Sequence, residues 1–426
     1  MSLLLVAVLS VVNTPFRIQT VMASPSVVDP NYILEVFATG LDGPFGMAFD
    51  QEGNLYVANE GAGDGGTRVS RITPSGEVSK YAEGFVGPSG LAFDNKGNLW
   101  VSDDRGCVWK ITPGGGIVLG VDFEFANPNA IGFDPGWNLF VADHAGYIYK
   151  ISGEGIATVF AGPFEGPQAI AFDKSGNLFT SDAGGTIYKI DSQGTVSVFS
   201  AGILRGSNGG LTLDDEGNLY ACEAGGNSMN VYVFTPEGVG RAFVSGFEPA
   251  NLNRPRGLVF DREGRLYIAE YGTGIIWRVV PLPVVDFDHN PERPAFNEQI
   301  TFNASRCYSH GNITVYKWDF GDGGTVEVDV PVIIHVYARE GRYNVTLAVA
   351  DNYGLWNVKS SQIPITYPTD LNRDCTINIL DISIVAMAFG TEEGDPNYNP
   401  IADLDSNEEI NIVDVSIVAL DHGKTV

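Results

Sequence analysis

Between residues 43 and 281 short apolar stretches alternate with small polar turns, and the alternation itself repeats. The recurring pattern is an apolar strand, an Asp-x-x-Gly-Asn-Leu turn and a second strand, with its Asp anchors at Asp50, Asp94, Asp134, Asp173, Asp214 and Asp261. The anchors are 44, 40, 39, 41 and 47 residues apart. The fourth unit shows a full set of predicted strands: Ala169–Phe172, Leu178–Ser181, Thr186–Ile190 and Thr195–Ser200. Its hairpin turn is Asp-Lys-Ser-Gly-Asn at 173–177, where glycine takes a backbone angle that other residues avoid. The sixth unit stops after its third strand, Ile275–Val280, at Pro281. A strand matching the missing fourth one lies at the other end of the region, because Ile33–Leu41 parallels Val78–Gly84 of the first unit. Pairing it into the last unit removes an exposed edge that would favour aggregation.

A period near 40 with about four short strands per unit predicts a β-propeller, here six-bladed over residues 30–281. The stretches Gly43-Pro-Phe-Gly-Met-Ala-Phe-Asp50 and Gly53-Asn-Leu-Tyr-Val-Ala58 resemble NHL-type propellers and their gluconolactonase-like and streptogramin-lyase-like relatives. That resemblance implies a fold rather than an activity. A polar residue follows each second strand, which makes Glu60, Asp103, Asp143, His144, Asp182, Glu223 and Glu270 candidate ligands on one propeller face. Several carboxylates around one channel suit a divalent cation or a substrate. The competing reading is turn chemistry repeated in every unit, since a catalytic centre normally breaks such symmetry. His144, the one histidine of this region, is the candidate base if the lyase-like resemblance extends to chemistry.

From residue 283 to 366 the period is lost and the strands lengthen. Trp318-Asp-Phe-Gly-Asp-Gly323 ends a strand in a glycine turn, and Gly341–Asp351 alternates so that Tyr343, Val345, Leu347 and Val349 share one face. This is the pattern of a half-buried strand in an Ig-like β-sandwich. The segment resembles a polycystic-kidney-disease (PKD) domain, which implies an extracellular spacer or adhesion module. Three Asn-x-Ser/Thr sequons, at Asn303, Asn312 and Asn344, fall here.

A twelve-position loop pattern then occurs twice. Its oxygen-bearing residues are Asp370, Asn372, Asp374, Thr376, Asn378 and Asp381 in the first copy, and Asp403, Asp405, Asn407, Glu409, Asn411 and Asp414 in the second. Ca²⁺ takes six to eight oxygens, and this spacing folds them around one point. Each loop should run into a short apolar helix, Ile382–Phe389 and Val415–Leu420. The shared Asn-Ile-x-Asp-x-Ser-Ile-Val-Ala marks a duplication. Residues 369–423 resemble a dockerin, a small α-helical module with two EF-hand-like calcium loops that binds cohesin domains. The resemblance implies two Ca²⁺ ions, a cohesin-bearing partner, and Ile379, Leu380, Ile412 and Val413 as partner-binding residues. Those four are apolar where cellulosomal dockerins often carry hydroxyls. Loop position 6, usually glycine, is Cys375 or Glu408, at a cost on the order of 1 kcal/mol for a positive φ.

Composition fits this mainly β layout. Fifty-two glycines point to a turn-rich protein, and 25 basic against 52 acidic residues give a net charge of −27 that argues against nucleic-acid binding. The apolar run Leu3–Val12 is too short to span a bilayer. With the small-residue site Val21-Met-Ala23 it reads as a signal peptide over residues 1–23, and no later segment reads as a membrane span. Cys107, Cys222, Cys307 and Cys375 are too scattered for metal spacing and read as free thiols. The expected function is a secreted or cell-surface multimodular calcium-binding protein. Its propeller would offer a face to a glycan or small molecule, and the dockerin would anchor it. The alternative is an extracellular enzyme carried by the dockerin: a metal-dependent lactonase, a lyase or a polysaccharide-active catalyst, with a divalent cation in the propeller channel.

Overall fold

The Asp anchors of the repeats fold the hairpins they head. In the computed structural model, which describes residues 25–61, 67–205, 208–223, 225, 229–247 and 254–426, Asp50 Oδ1 accepts the amides of Glu52 and Asn54 at 3.0 and 2.8 Å, and Oδ2 accepts Asn54 Nδ2 at 2.8 Å. Asp94 with Asn98, Asp134 with Asn138, Asp173 with Asn177 and Asp214 with Asn218 repeat the clasp. In the sixth unit Arg265 replaces the asparagine and reaches Asp261 Oδ2 through Nε at 2.6 Å. The third unit carries Trp137, at φ 63°, where the others have glycine. The expected signal peptide lies outside the described residues.

These hairpins build six antiparallel sheets among the described residues. The first consists of Pro44–Phe49, Leu55–Asn59, Arg68–Ile72 and Val78–Glu83 in sequential order. The fourth consists of Ala171–Phe172, Leu178–Ser181, Ile187–Ile190 and Val196–Ser200, so three of its strands begin one or two residues later than the pattern suggested. The sixth is completed by Tyr32–Ala38, which lies beside Ile275–Pro281, followed by Leu266–Glu270 and Pro255–Phe260. Val57, Val101, Val141, Ala221 and Ile268 are fully buried because the second strand of each sheet packs apolar side chains on both faces. Successive sheets share cores, and the cluster of Ala38, Leu41, Met47, Leu55, Tyr267 and Ile276 joins the sixth sheet to the first.

One feature goes beyond the repeat pattern. Ser26–Val27 adds a fifth strand to the fifth sheet, pairing Ser26 with Ser245 and Val27 with Val244. The N-terminal segment therefore covers the outer edges of two sheets in succession. Removing residues 26–38 should uncover both, delete the Phe37–Tyr267 edge contact at 5.0 Å and the Glu35–Arg278 ion pair, and promote aggregation. We expect the melting midpoint to fall by roughly 2–4 °C for each kcal/mol lost. An unchanged scan without added light scattering would refute an edge-sealing role.

Contacts divide the chain into two compact units. One holds the sheets, with Val36–Val259 and Tyr267–Trp277; the other holds Asp29–Glu35, Phe260–Leu266 and Arg278–Val426. The outer ends of the sixth-sheet strands thus group with the sandwich. Leu282 donates its amide to Asn31 O at 2.8 Å, and the Arg265 guanidinium lies 5.6 Å from the Tyr353 ring centre.

The sandwich has a three-stranded sheet, Asp288–Asn290, Ile300–Asn303 and Val332–His335, and a four-stranded sheet ordered Thr325–Val328, Ile313–Asp319, Gly341–Asp351 and Trp356–Ile365. Val345, Leu347 and Val349 are buried on the expected face with Tyr343 half-buried, and Trp318 sits among Phe287, Phe302 and Phe320. At the C-terminus come α1, Ile379–Ala388, and α2, Ile412–Asp421. Both start three residues before the expected Ile382 and Val415. The reason is local: Asn378 and Asn411 are N-caps, and Asp381 and Asp414 occupy N3 of capping boxes. Among the described residues no helix is long and apolar enough to cross a membrane. The four cysteines are free thiols, as the spacing suggested.

Candidate metal loops and the propeller face

The two C-terminal loops have matching hydrogen bonds. Asp370 accepts the amides of Asp374 and Cys375 at 3.1 and 2.9 Å; Asp403 accepts those of Asn407 and Glu408 at 3.2 and 2.9 Å. Asp381 accepts the amides of Asn372 and Asn378 at 3.1 and 2.9 Å, while Asp414 accepts those of Leu404 and Asn411, both at 2.8 Å. Positions 3 and 5 exchange Asn and Asp between the loops yet keep the same amide-to-carboxylate bond, Asn372 to Asp374 and Asn407 to Asp405, both at 3.0 Å. Position 6 takes φ 69° at both Cys375 and Glu408, and position 4 takes φ 56° at both Arg373 and Ser406. The chain therefore bears the strain expected of non-glycine residues here twice in each loop.

The halves also interlock. Ile377 O accepts from Gly423 N while Ile377 N donates to Lys424 O, and in the same way Ile410 O accepts from Gly390 N while Ile410 N donates to Thr391 O. Each loop is thereby tied to the end of the other loop's helix, around a core of Leu371, Ile377, Val385, Ala388, Ala402, Ile410 and Val418. Thr369 donates to Asp421 at 2.8 Å, and Lys424 Nζ lies 4.8 Å from the Tyr367 ring centre, which clasps the two ends of the module.

In the second loop, ligand atoms of Asp403, Asp405 and Asp414 all lie within 4.8 Å of one another. Every donor is an oxygen, which fits a hard cation and not a thiophilic one. Partial desolvation by the loop pushes the exposed Asp405 carboxyl up, and the neighbouring Asp414 and Asp403 add to it. Asp370 is likewise raised, first by burial and then by Asp381 and Asp374, against its two amide bonds. Burial also acts on Asp403, but the Tyr398 hydroxyl and three backbone amides outweigh it and hold that carboxyl low. Such mutual repulsion is what a bound divalent cation relieves. Asn378 and Asn411 are differently engaged: their Oδ1 atoms accept Leu380 N and Val413 N at 2.8 Å as helix caps. At position 7, Thr376 and Glu409 direct their amides to Asp374 and Asn407.

Ile379, Leu380, Ile412 and Val413 form the exposed first turns of the helices, at 66, 56, 64 and 45 % exposure. Met387 and Leu420, at the far ends of the same helices, are more exposed still, at 78 and 82 %, and were not among the sequence candidates. The signal was available, since the repeat offset that relates Ile379 to Ile412 also relates Met387 to Leu420.

On the propeller, the candidate carboxylates are occupied by the chain itself. Asp103, fully buried, accepts Arg105 Nη2 at 2.8 Å and Trp109 Nε1 at 3.0 Å. Asp143 accepts the amides of Ala126 and Asn127 at 2.9 Å. Asp182 accepts Thr186 N and the Tyr188 hydroxyl, Glu223 accepts Arg205 N, and Glu270 accepts Trp277 Nε1 at 2.7 Å. Each ties the end of a second strand to a neighbouring loop or to the third strand. His144 is exposed, with Nδ1 3.1 Å from Gln168 Nε2. Glu60 alone among the carboxylates keeps a buried oxygen, Oε2, without a hydrogen-bond partner.

Residues 281–366 match the PKD domain family model, and residues 154–190 match the N-terminal model of strictosidine synthase-like proteins. A microbial collagenase of Vibrio alginolyticus is 34 % identical over 84 residues, 19 % of this chain and 10 % of the relative. Collagenase ColQ1 of Bacillus cereus (strain Q1) is 54 % identical over 44 residues, 10 % of this chain and 4 % of the relative. The chain thus spans a tenth or less of these curated relatives. Among solved structures, a Trichoderma reesei carbohydrate-active enzyme of family AA12 aligns at TM-score 0.50 and 13 % identity, over 62 % of this chain and all of its own length. A gluconolactonase of Xanthomonas campestris aligns at 0.49 and 17 %, over 60 % and 94 %. Virginiamycin B lyase of Staphylococcus aureus aligns at 0.46 and 19 %, over 64 % and 96 %. The chain is a mainly β protein that carries a β-propeller and a PKD domain.

Proposed function

We propose that residues 369–423 are a dockerin-type module that binds two Ca²⁺ ions and anchors the chain to a cohesin-bearing partner outside the cell. On this reading the propeller is six-bladed, sealed by Tyr32–Ala38, and displays a ligand face that the PKD domain spaces from the anchor. The observation that carries the reading is the equivalence of the two loops: the same amide bonds, the same two positive φ positions and three aspartates in each. In the first loop Asp370, Asn372, Asp374, the Thr376 carbonyl and Asp381 would hold the ion; in the second, Asp403, Asp405, Asn407, the Glu409 carbonyl and Asp414. Asn378 and Asn411, being helix caps, would act at most through water. The bound ions would supply charge neutralisation and so tie folding to calcium. Ile379, Leu380, Met387 and their counterparts Ile412, Val413 and Leu420 would meet the partner. Because the six repeat apolar positions at a fixed offset, either half could present an equivalent surface. The internal engagement of Asp103, Asp143, Asp182, Glu223 and Glu270 favours display over metal-dependent catalysis on the propeller.

Calorimetric titration of the full chain with Ca²⁺ tests this. Two ions per chain are expected, and excess chelator should remove protection from amide exchange within residues 369–423 while leaving the propeller's protection in place. Fewer than two ions, or full helicity in chelator, would contradict the proposal.

A further inference from the structure

Two arginines meet on the propeller with no ion pair to a carboxylate within salt-bridge distance among the described residues, although Glu60 lies near enough to act on Arg256. Arg254 and Arg256 flank Pro255 at the start of the Pro255–Phe260 strand. Alternate residues of a strand share a face, so both guanidinium groups are delivered to one place. The Arg254 guanidinium lies 5.4 Å and that of Arg256 5.2 Å from the Tyr271 ring centre, and Arg256 also lies 5.0 Å from that of Phe45. The platform is fixed by the backbone: Tyr271 N donates to Arg254 O at 3.0 Å, and the Tyr271 hydroxyl donates to Gly61 O at 2.8 Å. Gly257 lets the strand approach Phe45 so closely that a Cβ would fall 1.9 Å from Phe45 O. Glu60 follows the second strand of the first sheet, its amide donating to Gly43 O at 3.0 Å.

The polar ends of these side chains are unspent. Arg254 Nε, Arg256 Nε and Glu60 Oε2 are each buried without a hydrogen-bond partner, although all three residues remain partly exposed. The two arginines are the basic groups of a neighbourhood in which Glu60 faces them, with Asp104 acting on Glu60 and Asp42 on Tyr271. Burial lowers Arg256 and Arg254 lowers it further, with Glu60 opposing, while burial raises Glu60. A pair of like charges held half-buried beside one aromatic ring costs stability unless anions join it, and Glu60 supplies one. Stacked guanidinium forks match a planar oxyanion.

We propose that Arg254, Arg256, Tyr271 and Glu60 form a binding site for a hydroxy-carboxylate, such as the acid end of a uronic acid sugar. The carboxylate accepts from the two guanidinium groups, and a neighbouring hydroxyl donates to Glu60 Oε2. This deepens the reading of the propeller as a ligand face and is independent of the calcium loops.

The test is titration of the full chain with D-glucuronate, D-glucuronamide and D-glucose in one buffer. Glucuronate should bind one to one, with affinity falling at least tenfold for the uncharged amide and for glucose. Arg256→Gln should weaken glucuronate at least tenfold, and Glu60→Gln should reduce the preference for glucuronate over acetate, which has no hydroxyl. If Arg256→Gln does not fold, the comparison of glucuronate with its amide on the unaltered chain decides. No glucuronate binding, equal binding of the amide, or undiminished binding by a folded Arg256→Gln chain would overturn the proposal. Calcium stoichiometry measured on the same samples separates this outcome from failure of the anchoring module.

Discussion

Asp414→Ala should unfold residues 369–423 and abolish binding of the two proposed calcium ions. Asp414 is fully buried, accepts two amides at 2.8 Å and occupies N3 of the capping box that starts α2. Hydrogen bonds to a charged acceptor contribute about 1.5–3 kcal/mol each, so the loss is at least about 3 kcal/mol before any metal is considered. A module of this size holds little more than that. Asp405→Ala provides the contrast. Asp405 is exposed, and its Oδ2 accepts the Asn407 side-chain amide at 3.0 Å. It should weaken the second ion while leaving the helix content at saturating Ca²⁺ intact. Circular dichroism and calcium titration read both variants. Native helicity together with two undiminished ions in Asp414→Ala would sink the assignment.

The second large effect is expected at Trp318. It is the bulkiest fully buried side chain, with Phe287 at 5.2 Å and Phe302 at 5.6 Å between ring centres. Trp318→Ala should cost about 3–5 kcal/mol, the usual range for emptying an aromatic core site. Trp318→Phe makes the sharper comparison, because Trp318 Nε1 is buried without a partner. Phenylalanine keeps an aromatic ring and removes an unsatisfied donor worth about 1–3 kcal/mol. That gain offsets part of the lost volume, so the net cost should be under about 1.5 kcal/mol. Denaturant unfolding monitored by amide exchange in the sandwich strands gives both values. A Trp318→Phe cost well above about 1.5 kcal/mol would show that the indole nitrogen carries no penalty.

Much of the architecture was written in local signals. The Asp-to-Asn clasp is completed within five residues, so its recurrence marks each hairpin before any tertiary contact forms. Alternation along Gly341–Asp351 assigned a buried face because successive strand side chains point to opposite sides. The helix starts were misplaced, although their cap residues stood in plain view. Reading Asn378 and Asn411 as metal ligands obscured that the same side chains could begin a helix three residues earlier.

The propeller face was harder to read, and for a different reason. A carboxylate at the end of each second strand looks the same in sequence whether it faces a channel or a neighbouring backbone amide. Only the packing of loops against strands decides, and it gave Asp143 two amides and Glu270 an indole. Arg254 and Arg256 carried no repeat signal at all. Their meeting with Tyr271 and Glu60 depends on the sixth sheet closing against the first, across some two hundred residues of chain. By itself the sequence determined the repeat, the half-buried strands and the duplicated acidic loops, because those follow from spacing along a few residues. The tertiary structure alone decided which polar groups are satisfied and which are left waiting, because burial and hydrogen-bond partners come from segments distant in the chain.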